Sequence, residues 1–382
     1  MQEYNLNALE KHNMDTAIIR TRLHALREQR KVTQDDLARA LGFKDRQTLS
    51  AIELGERKVT ADELVQAARF FKVPIEYFAD PFELAGEGRF SWRQTTASPK
   101  QLALFETQAG KWIAAYRHLS RLKGDAVNSL TRRVALNPKS TFEEAQAEGE
   151  AIGRALKLGP IPALNLAQVI ERDLDTLVLH VDTVKGISGA ACRLGPLNAI
   201  LINRHEHPAR RNFDLAHELF HLLTWSDMPP RHIEGGKPAD AQEKRVEQLA
   251  DNFAAALLMP RKTVTNLVRK SALPDEDSLV EWLVTNATKL GVSALALKWR
   301  LVALDLIKKA VAERIGDDAF RAPRNEKIAA PPRFSARFAR VLAWAIDQGH
   351  LSARRAATLM GLTLDDLAAV FGEHDLPVPF DL

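Results

Sequence analysis

Two histidines and a glutamate in the pentapeptide His217-Glu218-Leu219-Phe220-His221 have the types and spacing of a zinc site. Residues four apart lie one turn apart on the same face of a helix, so both imidazoles can reach one Zn²⁺ ion. The glutamate beside the first histidine points toward the open side of the metal, where it can act as a general base. The pattern predicts metal-assisted hydrolysis, typical of zinc peptidases. The alternative is a buried amphipathic helix whose histidines only form hydrogen bonds.

A third protein ligand is needed, together with an open position for water. The segment 243–260 is rich in alanine and has no Gly or Pro before its last residue, which predicts one helix. Glu243, Glu247 and Asp251 fall at four-residue steps on one face of it. Glu247 is the predicted ligand, because Asp251 can then accept a hydrogen bond from one of the two histidines and fix its tautomer. Glu243 is the alternative ligand.

The cofactor predicted from these residues is one Zn²⁺ per chain, with Mn²⁺ as the alternative ion. A second electrophile, typically His, Tyr or Arg, usually helps to stabilise the oxyanion. We choose His232, in the loop between the two ligand-bearing segments, as this second catalytic residue. Spacing does not exclude three other candidates, which are His205, His207 and Arg211.

Composition sets the broader limits. A chain of 382 residues usually forms two or three domains. The formal charge of +4, from 53 basic and 49 acidic residues, is too balanced to imply nucleic-acid binding by itself. A single cysteine, Cys192, excludes an intramolecular disulfide and a thiolate-rich metal site. The N-terminus lacks the features of a signal peptide and no apolar run is long enough to cross a bilayer, so we expect a cytoplasmic, nucleoid-associated protein without membrane contact.

Residues 16–80 read as short helices separated by tight turns. Thr33 is a predicted N-cap, and Gly42 ends the helix that it starts. A new helix begins near Lys44 or Asp45 and ends at Gly55. A helix, a glycine-containing turn and a second helix form the arrangement that places the second helix in the major groove of DNA.

These residues resemble the Xre-type, or lambda-repressor-like, helix-turn-helix family. The resemblance implies a five-helix DNA-binding domain in which Gln34 contacts the sugar-phosphate backbone. It implies a base-reading set at the start of the third helix, which comprises Arg46, Gln47, Thr48 and Ser50. The implied partner is double-stranded operator DNA bound by a homodimer. The alternative is a helical domain that only dimerises or binds protein. Asp45 would repel phosphate unless it caps the helix or accepts a hydrogen bond from cytosine.

The remaining chain divides at Gly-, Ser-, Thr- and Pro-rich stretches. We assign 1–81 to the DNA-binding domain, 82–139 to a linker and helical connector, 140–315 to a central domain and 333–382 to a small C-terminal domain. The central domain is predicted to hold two helices, then strands at Thr176–Val181 and Ala199–Asn203, with Gly186–Gly189 as a turn between them. The last helices, with Gly361 between them, resemble winged-helix-like tails of bacterial regulators.

A second resemblance covers about residues 145–307. The segments around His217 and Glu247 look like the ImmA/IrrE family of metallo-endopeptidases, whose members are bacterial or phage proteins. The resemblance implies a zincin-like domain with a small β-sheet and the glutamate-type ligand set His217, His221 and Glu247, which is gluzincin-like. Phe220 stands where many members have Gly, which predicts a narrower substrate cleft.

The sequence therefore predicts a mostly helical α+β chain that regulates transcription. Its zinc endopeptidase domain would cleave a regulatory protein, either a repressor or antitoxin-like partner or the chain itself. One alternative is a transcription factor whose peptidase-like domain senses metal or a ligand without cleaving. Another is an antitoxin that sequesters its partner. An intact Glu218 favours cleavage, because a sensor does not need a general base.

Overall fold

The structure is a computed structural model that describes residues 17–84, 88–94, 97–125, 130, 132–230, 240–320 and 329–381. Helices dominate, and a four-stranded sheet lies in the middle of the chain. None of the helices in these ranges has the length and apolar character needed to cross a membrane. The predicted mostly helical α+β class is confirmed.

The described residues of the N-terminal domain, from residue 17 onward, form five helices, as predicted. They are α1 (17–29), α2 (Gln34–Ala40), α3 (Arg46–Leu54), α4 (Ala61–Phe71) and α5 (Glu76–Ala79). Thr33 caps α2 by accepting from the Asp36 backbone N–H, and Gly42 follows with φ +73°. Only glycine adopts this left-handed conformation without steric cost, so the turn between α2 and α3 is encoded locally. Leucine and phenylalanine side chains from these helices form a separate small core.

The sheet has the strand order β1-β3-β4-β2. The strands are β1 (Arg89–Gln94), β2 (Thr176–Val181), β3 (Ile187–Leu194) and β4 (Leu197–Asn203). Strand β3 runs antiparallel to β1 and β4, while β2 and β4 are parallel. The two strands predicted at the start and end of this region are present.

Two segments differ from the sequence interpretation. Residues Arg89–Gln94, expected in a linker, form the edge strand β1, because Phe90 and Trp92 alternate with polar residues and bury one face. Ile187 to Gly189, expected in a turn, belong to β3. Position 189 favours glycine because β3 passes close to Leu201 of β4. A Cβ at this position would lie 3.0 Å from the Leu201 carbonyl oxygen.

Both faces of the sheet are covered, and each face contributes to a different core. One face packs against a layer of helices that includes the two helices with His217, His221 and Glu247. The helices of this layer are α7 (Phe142–Ala155), α8 (Leu166–Asp173), α9 (Pro208–Thr224) and α10 (Ala241–Leu258), followed by α11 (Arg261–Lys270), α12 (Glu276–Leu290), α13 (Ala294–Ala303) and α14 (Lys309–Arg314). Burial on both faces explains why the strands are almost continuously apolar.

The opposite face of the sheet packs against the connector helix and the C-terminal helices. They are α6 (Pro99–Lys123), α15 (Ala336–Asp347), α16 (Ala353–Met360) and α17 (Leu364–Glu373). Phe334 extends the contact by donating its backbone N–H to the His180 carbonyl of β2 at 2.7 Å. The C-terminal helices therefore share one hydrophobic core with the sheet, although they lie far from it in sequence.

Helices α7 and α10 pack at unusually short range because α7 has a glycine at the contact. A Cβ added to Gly149 would lie 2.4 Å from the Phe253 carbonyl oxygen and 3.1 Å from the Leu257 backbone nitrogen. Both obstructing atoms belong to a helix backbone, which cannot move aside as a side chain can. The close approach fixes the position of α10 relative to the sheet and to α9.

Gly149→Ala is therefore expected to lower the free energy of unfolding by about 1–3 kcal/mol, despite the better helix propensity of alanine. The control is Gly153→Ala, one turn later, where the added Cβ meets the Leu257 Cδ1 atom at an ordinary 3.4 Å. Urea denaturation of both variants checks this. Equal stability of the two would show that α7 and α10 can separate without cost.

Candidate functional site

Helix α9 places His217, Glu218 and His221 in the interior of the protein. Pro208 occupies its first turn and His207 caps it through Nδ1, which accepts from the Ala209 backbone N–H. His217, Glu218 and His221 are each at most 2% exposed. Three buried titratable side chains on one helix face are costly to bury unless they bind one another or a cation.

Three ligand atoms converge beside α9. The Nε2 atoms of His217 and His221 are 3.1 Å apart, and the Glu247 carboxylate lies 3.1 Å from the first and 3.5 Å from the second. Ligands about 2.0–2.2 Å from a tetrahedral zinc ion lie about 3.3 Å from one another. In the part of the chain that the structure describes, His217, His221 and Glu247 form a candidate metal-ligand cluster. Their donor set fits Zn²⁺.

The Asp251 carboxylate orients the first histidine. Asp251 Oδ1 lies 2.9 Å from His217 Nδ1, on the side of the ring opposite the cluster. A hydrogen bond from Nδ1–H to this carboxylate leaves the lone pair of a neutral imidazole on Nε2, pointing toward the other ligands. In this arrangement the Asp251 carboxylate orients His217, and the other ring nitrogen of His217 is left to bind a metal ion.

The alternative ligand Glu243 lies outside the cluster. It is in the first turn of α10, where its backbone N–H donates to the Asp240 side chain at 2.8 Å. Glu247, one turn further, is the acid whose carboxylate reaches the Nε2 atoms of both histidines, while Asp251 contacts Nδ1 of His217. The rotation and close packing of α10 therefore select one acid from three that share a helix face.

Glu218 lies under strand β3. A Cβ placed on Gly189 would be 3.6 Å from Glu218 Cγ, so the strand backbone passes directly over the side chain. The side chain is 1% exposed, and Glu218 follows His217 directly in the sequence. A buried carboxylate at this position could accept a proton from a water on a metal ion held by the histidines.

Asp251→Ala is expected to weaken zinc binding about 10–100-fold, because loss of the carboxylate leaves His217 without the partner that fixes its tautomer. Asn252→Ala, at the neighbouring position on α10, is the matched control, since Asn252 bonds Gln146 of α7 and not the histidines. Competition with a chromogenic chelator measures both affinities. Equal affinities would remove Asp251 from the site.

The candidates for the second electrophile have other partners, or lie outside the described residues. His232 falls in 231–239, outside the described part. His205 Nε2 lies 2.6 Å from the Asp182 carboxylate. Arg211 donates to the backbone carbonyls of Arg204 and Glu206 at the start of α9, and its pKa is lowered by burial. His232 therefore stays a prediction.

A small cavity next to the ligands includes a residue that the sequence interpretation missed. It measures about 130 Å³, and His221, Glu247, Met228, Val246, Pro138 and Ser91 line it. Ser91 belongs to β1 and is 4% exposed. Alternation of aromatic and polar residues over 89–94 was the signal for this strand, but the Gly, Ser and Thr residues on either side obscured it.

Phe220 does not line this cavity. Its ring is fully buried, and its centroid lies 5.5 Å from that of Phe253 on α10. The bulky side chain therefore fills space between α9 and α10 in the core, which differs from the narrower cleft that the sequence suggested.

Asp45 caps helix α3. Its carboxylate accepts from the backbone N–H groups of Gln47 and Thr48 at 3.0 and 3.2 Å. Capping is thus the role of the acid that would otherwise repel phosphate. On the same turn, Arg46 and Gln47 are exposed, while Thr48 and Ser50 are half-buried.

A buried polar cluster fixes the angle between α2 and α3. Gln34 Nε2 donates to Glu53 Oε2 at 2.8 Å, and Arg27 of α1 donates to both oxygens of the same carboxylate. Burial opposes ionisation of Glu53, but the bonds from Arg27 and Gln34 outweigh it, so the pKa of Glu53 lies below its ordinary value. Gln34 is half-buried and held at the first turn of α2, where such a residue can also reach a phosphate.

Two ranges of the chain match known protein families, one in the N-terminal domain and one around the candidate metal site. Residues 23–78 match a family model described as helix-turn-helix. Residues 177–302, which contain the metal-ligand cluster, match a peptidase family model described as IrrE N-terminal-like domain. No curated protein matches the chain. The chain thus joins an Xre-like helix-turn-helix domain at residues 23–78 to a metallopeptidase-like, IrrE N-terminal-like domain at residues 177–302.

Proposed function

We propose that the protein is a DNA-binding transcriptional regulator whose zinc-dependent endopeptidase domain cleaves a regulatory protein. The observation that carries the proposal is the group of two buried histidines, His217 and His221, and the half-buried Glu247, close to the buried Glu218, in a chain that also has a DNA-binding domain. An acid for proton transfer is present in addition to the ligands. Zn²⁺ is the proposed ion, with Mn²⁺ as the alternative, and the proposed compartment is the cytoplasm.

In the proposed reaction, a zinc ion held by His217, His221 and Glu247 would activate a water and polarise the scissile carbonyl. Glu218 takes the proton from the attacking water at its carboxylate and then delivers it to the leaving amine nitrogen. Asp251 keeps His217 in the tautomer that binds metal. Strand β3 and α9 exclude bulk water around Glu218, which strengthens charge interactions there.

The DNA-binding domain would bring this site to regulated genes. We propose that Arg46, Gln47, Thr48 and Ser50 read base edges in operator DNA and that Gln34 contacts its backbone. Two chains would bind as a homodimer, as domains of this kind commonly read two half-sites. Tethering raises the effective concentration of the peptidase near any regulator bound at the same operator.

Arg46→Ala is expected to weaken binding to a selected operator about 5–150-fold, since one bidentate base contact is worth about 1–3 kcal/mol. Arg69→Ala is the matched control, because Arg69 is an exposed arginine on α4 and not on the two helices that are proposed to contact DNA. Fluorescence anisotropy at one fixed salt concentration measures both, after selection of the operator from random duplexes. A loss that is equal for the two variants would show that Arg46 contributes only charge.

The cleavage target can be found by comparing cells that express the zinc-loaded wild type with cells that express Glu218→Gln. New protein N-termini are mapped across the proteome in both. We expect one or a few cleavage sites, in DNA-binding regulators, that depend on Glu218. Identical sets of N-termini would favour the alternative, a transcription factor or antitoxin whose peptidase-like domain senses metal or sequesters a partner.

A further inference from the structure

Strand β3 passes over Glu218, the proposed general base. Strand β1 of the connector pairs with one edge of β3. Gly189 of β3 passes over Glu218. On the side of β3 away from β4, residues Arg89–Gln94 pair with it in antiparallel orientation, with Ser91 opposite Ala191 and Arg93 opposite Gly189. The connector therefore occupies the sheet edge that lies over the metal centre.

This strand lies outside the residues that match the peptidase-like family. The family match spans 177–302, which contains β2, β3 and β4 but not β1. Within the matched residues alone, β3 would be an edge strand with unpaired backbone groups facing the cleft. An extended peptide can bind to such an edge by adding one more strand. Strand β1 has the position and the direction of a peptide bound in that way.

The face of β1 toward the metal centre contributes to the cavity that the ligands line. Ser91 borders the same cavity of about 130 Å³ as His221 and Glu247. An extended peptide cannot pair with this edge of β3 while β1 stays in place, because the β1 backbone already forms the ladder with residues 187–193.

The other face of β1 is anchored away from the metal. Trp92 is 1% exposed and donates its indole N–H to the Glu106 carboxylate of α6 at 2.6 Å. The Phe90 ring stacks on Trp92, with centroids 5.2 Å apart, and Phe105 of α6 packs edge-on against the indole. Two aromatic side chains and one charge-assisted hydrogen bond thus hold the strand.

We propose that β1 is an internal occupant of the substrate-binding edge of β3. It keeps the metal centre closed, and an extended segment of a protein substrate reaches Glu218 only after β1 leaves β3. The proposal rests on the peptidase function proposed above. It assigns the substrate class as an extended, strand-forming segment and the regulation as exchange between that segment and residues 89–94.

A single substitution can lock the strand, because Phe90 lies directly opposite Cys192 of β3. In Phe90→Cys, oxidation can join the two sulfur atoms, since opposed residues of antiparallel strands lie within the range of Cα distances that disulfides span. Both positions face α6, so the bond does not enter the metal cavity. The reduced form of the same variant controls for the lost ring, and mass spectrometry verifies the bond.

Two probes are measured on the zinc-loaded chain: cleavage of the target identified by N-terminus mapping, and binding of a peptide hydroxamate by calorimetry. The reduced variant is expected to match or exceed the wild type in both. The oxidised variant should cleave the target at least tenfold more slowly and bind the hydroxamate at least tenfold more weakly. Equal behaviour of the two redox forms would overturn the proposal. If mapping finds no Glu218-dependent cleavage but hydroxamate binding still depends on oxidation, the peptidase function fails while the occupancy of the edge stands.

A second variant covers the case in which the disulfide does not form. Glu106→Ala removes the acceptor of the Trp92 indole without changing β1, and Thr107→Ala, exposed on the same helix, is its control. Glu106→Ala should raise amide hydrogen exchange in residues 88–94 and 187–194, even without metal, and tighten hydroxamate binding several-fold. Unchanged hydroxamate binding, whether exchange rises or not, contradicts the proposal.

Discussion

Glu218→Gln is expected to lower the rate of peptide-bond cleavage by about 10²–10⁴-fold while leaving zinc affinity within a few fold of the wild type. The amide has nearly the same size as the carboxylate but cannot accept a proton from water. Glu218 is buried under β3 and lies outside the metal-ligand cluster, so the ligands keep their positions. Cleavage rates on the target identified by N-terminus mapping, with zinc content measured on the same samples, check both halves of the expectation.

DNA binding provides the control for this variant. Helix α3 belongs to a separate small core, so the operator affinity of Glu218→Gln should equal that of the wild type. If the variant loses zinc or operator binding, its loss of cleavage would reflect a damaged fold. If it cleaves at the rate of the wild type, Glu218 is not the base and the proposed mechanism is wrong.

Glu247→Gln is expected to weaken zinc binding by more than about 100-fold, because a direct ligand should matter more than the 10–100-fold of a residue that only orients one. A neutral amide also removes the negative charge that offsets the dication. Glu243→Gln is the matched control, since the same chemical change is made one turn earlier on α10, outside the cluster. Chelator competition at pH 7 compares the two with the wild type.

If Glu243→Gln binds zinc more weakly than Glu247→Gln, Glu243 is the ligand. Helix α10 would then be shifted along its axis by one turn relative to α9. Equal affinities for both variants and the wild type would remove α10 from the metal site. Cleavage should follow zinc occupancy in each case, so an excess of zinc should restore part of the activity of Glu247→Gln. Added zinc should not rescue Glu218→Gln, which separates a lost ligand from a lost base.

In the N-terminal domain, some features depend on residues that are close in sequence, and others depend on contacts between residues that are far apart in sequence. Thr33, Gly42 and the Asp45 cap are signals within one or two turns of the chain, and they predict α2 and α3. The bond from Gln34 to Glu53 joins residues 19 positions apart, and no periodicity in the sequence indicates it. It depends on how the two helices pack.

The sequence by itself determined which side chains can meet on one helix. The spacing of His217 and His221 follows from the 3.6-residue turn, and the same periodicity puts Glu243, Glu247 and Asp251 on one face of α10. Only the tertiary structure decided that Glu247 faces the histidines and that Asp251 binds His217, because this depends on the close contact at Gly149. Strand β1 was missed for the same reason. Its partner β3 is about 100 residues away, and strand pairing depends on such long-range contacts, whereas helix periodicity is repeated along the chain itself.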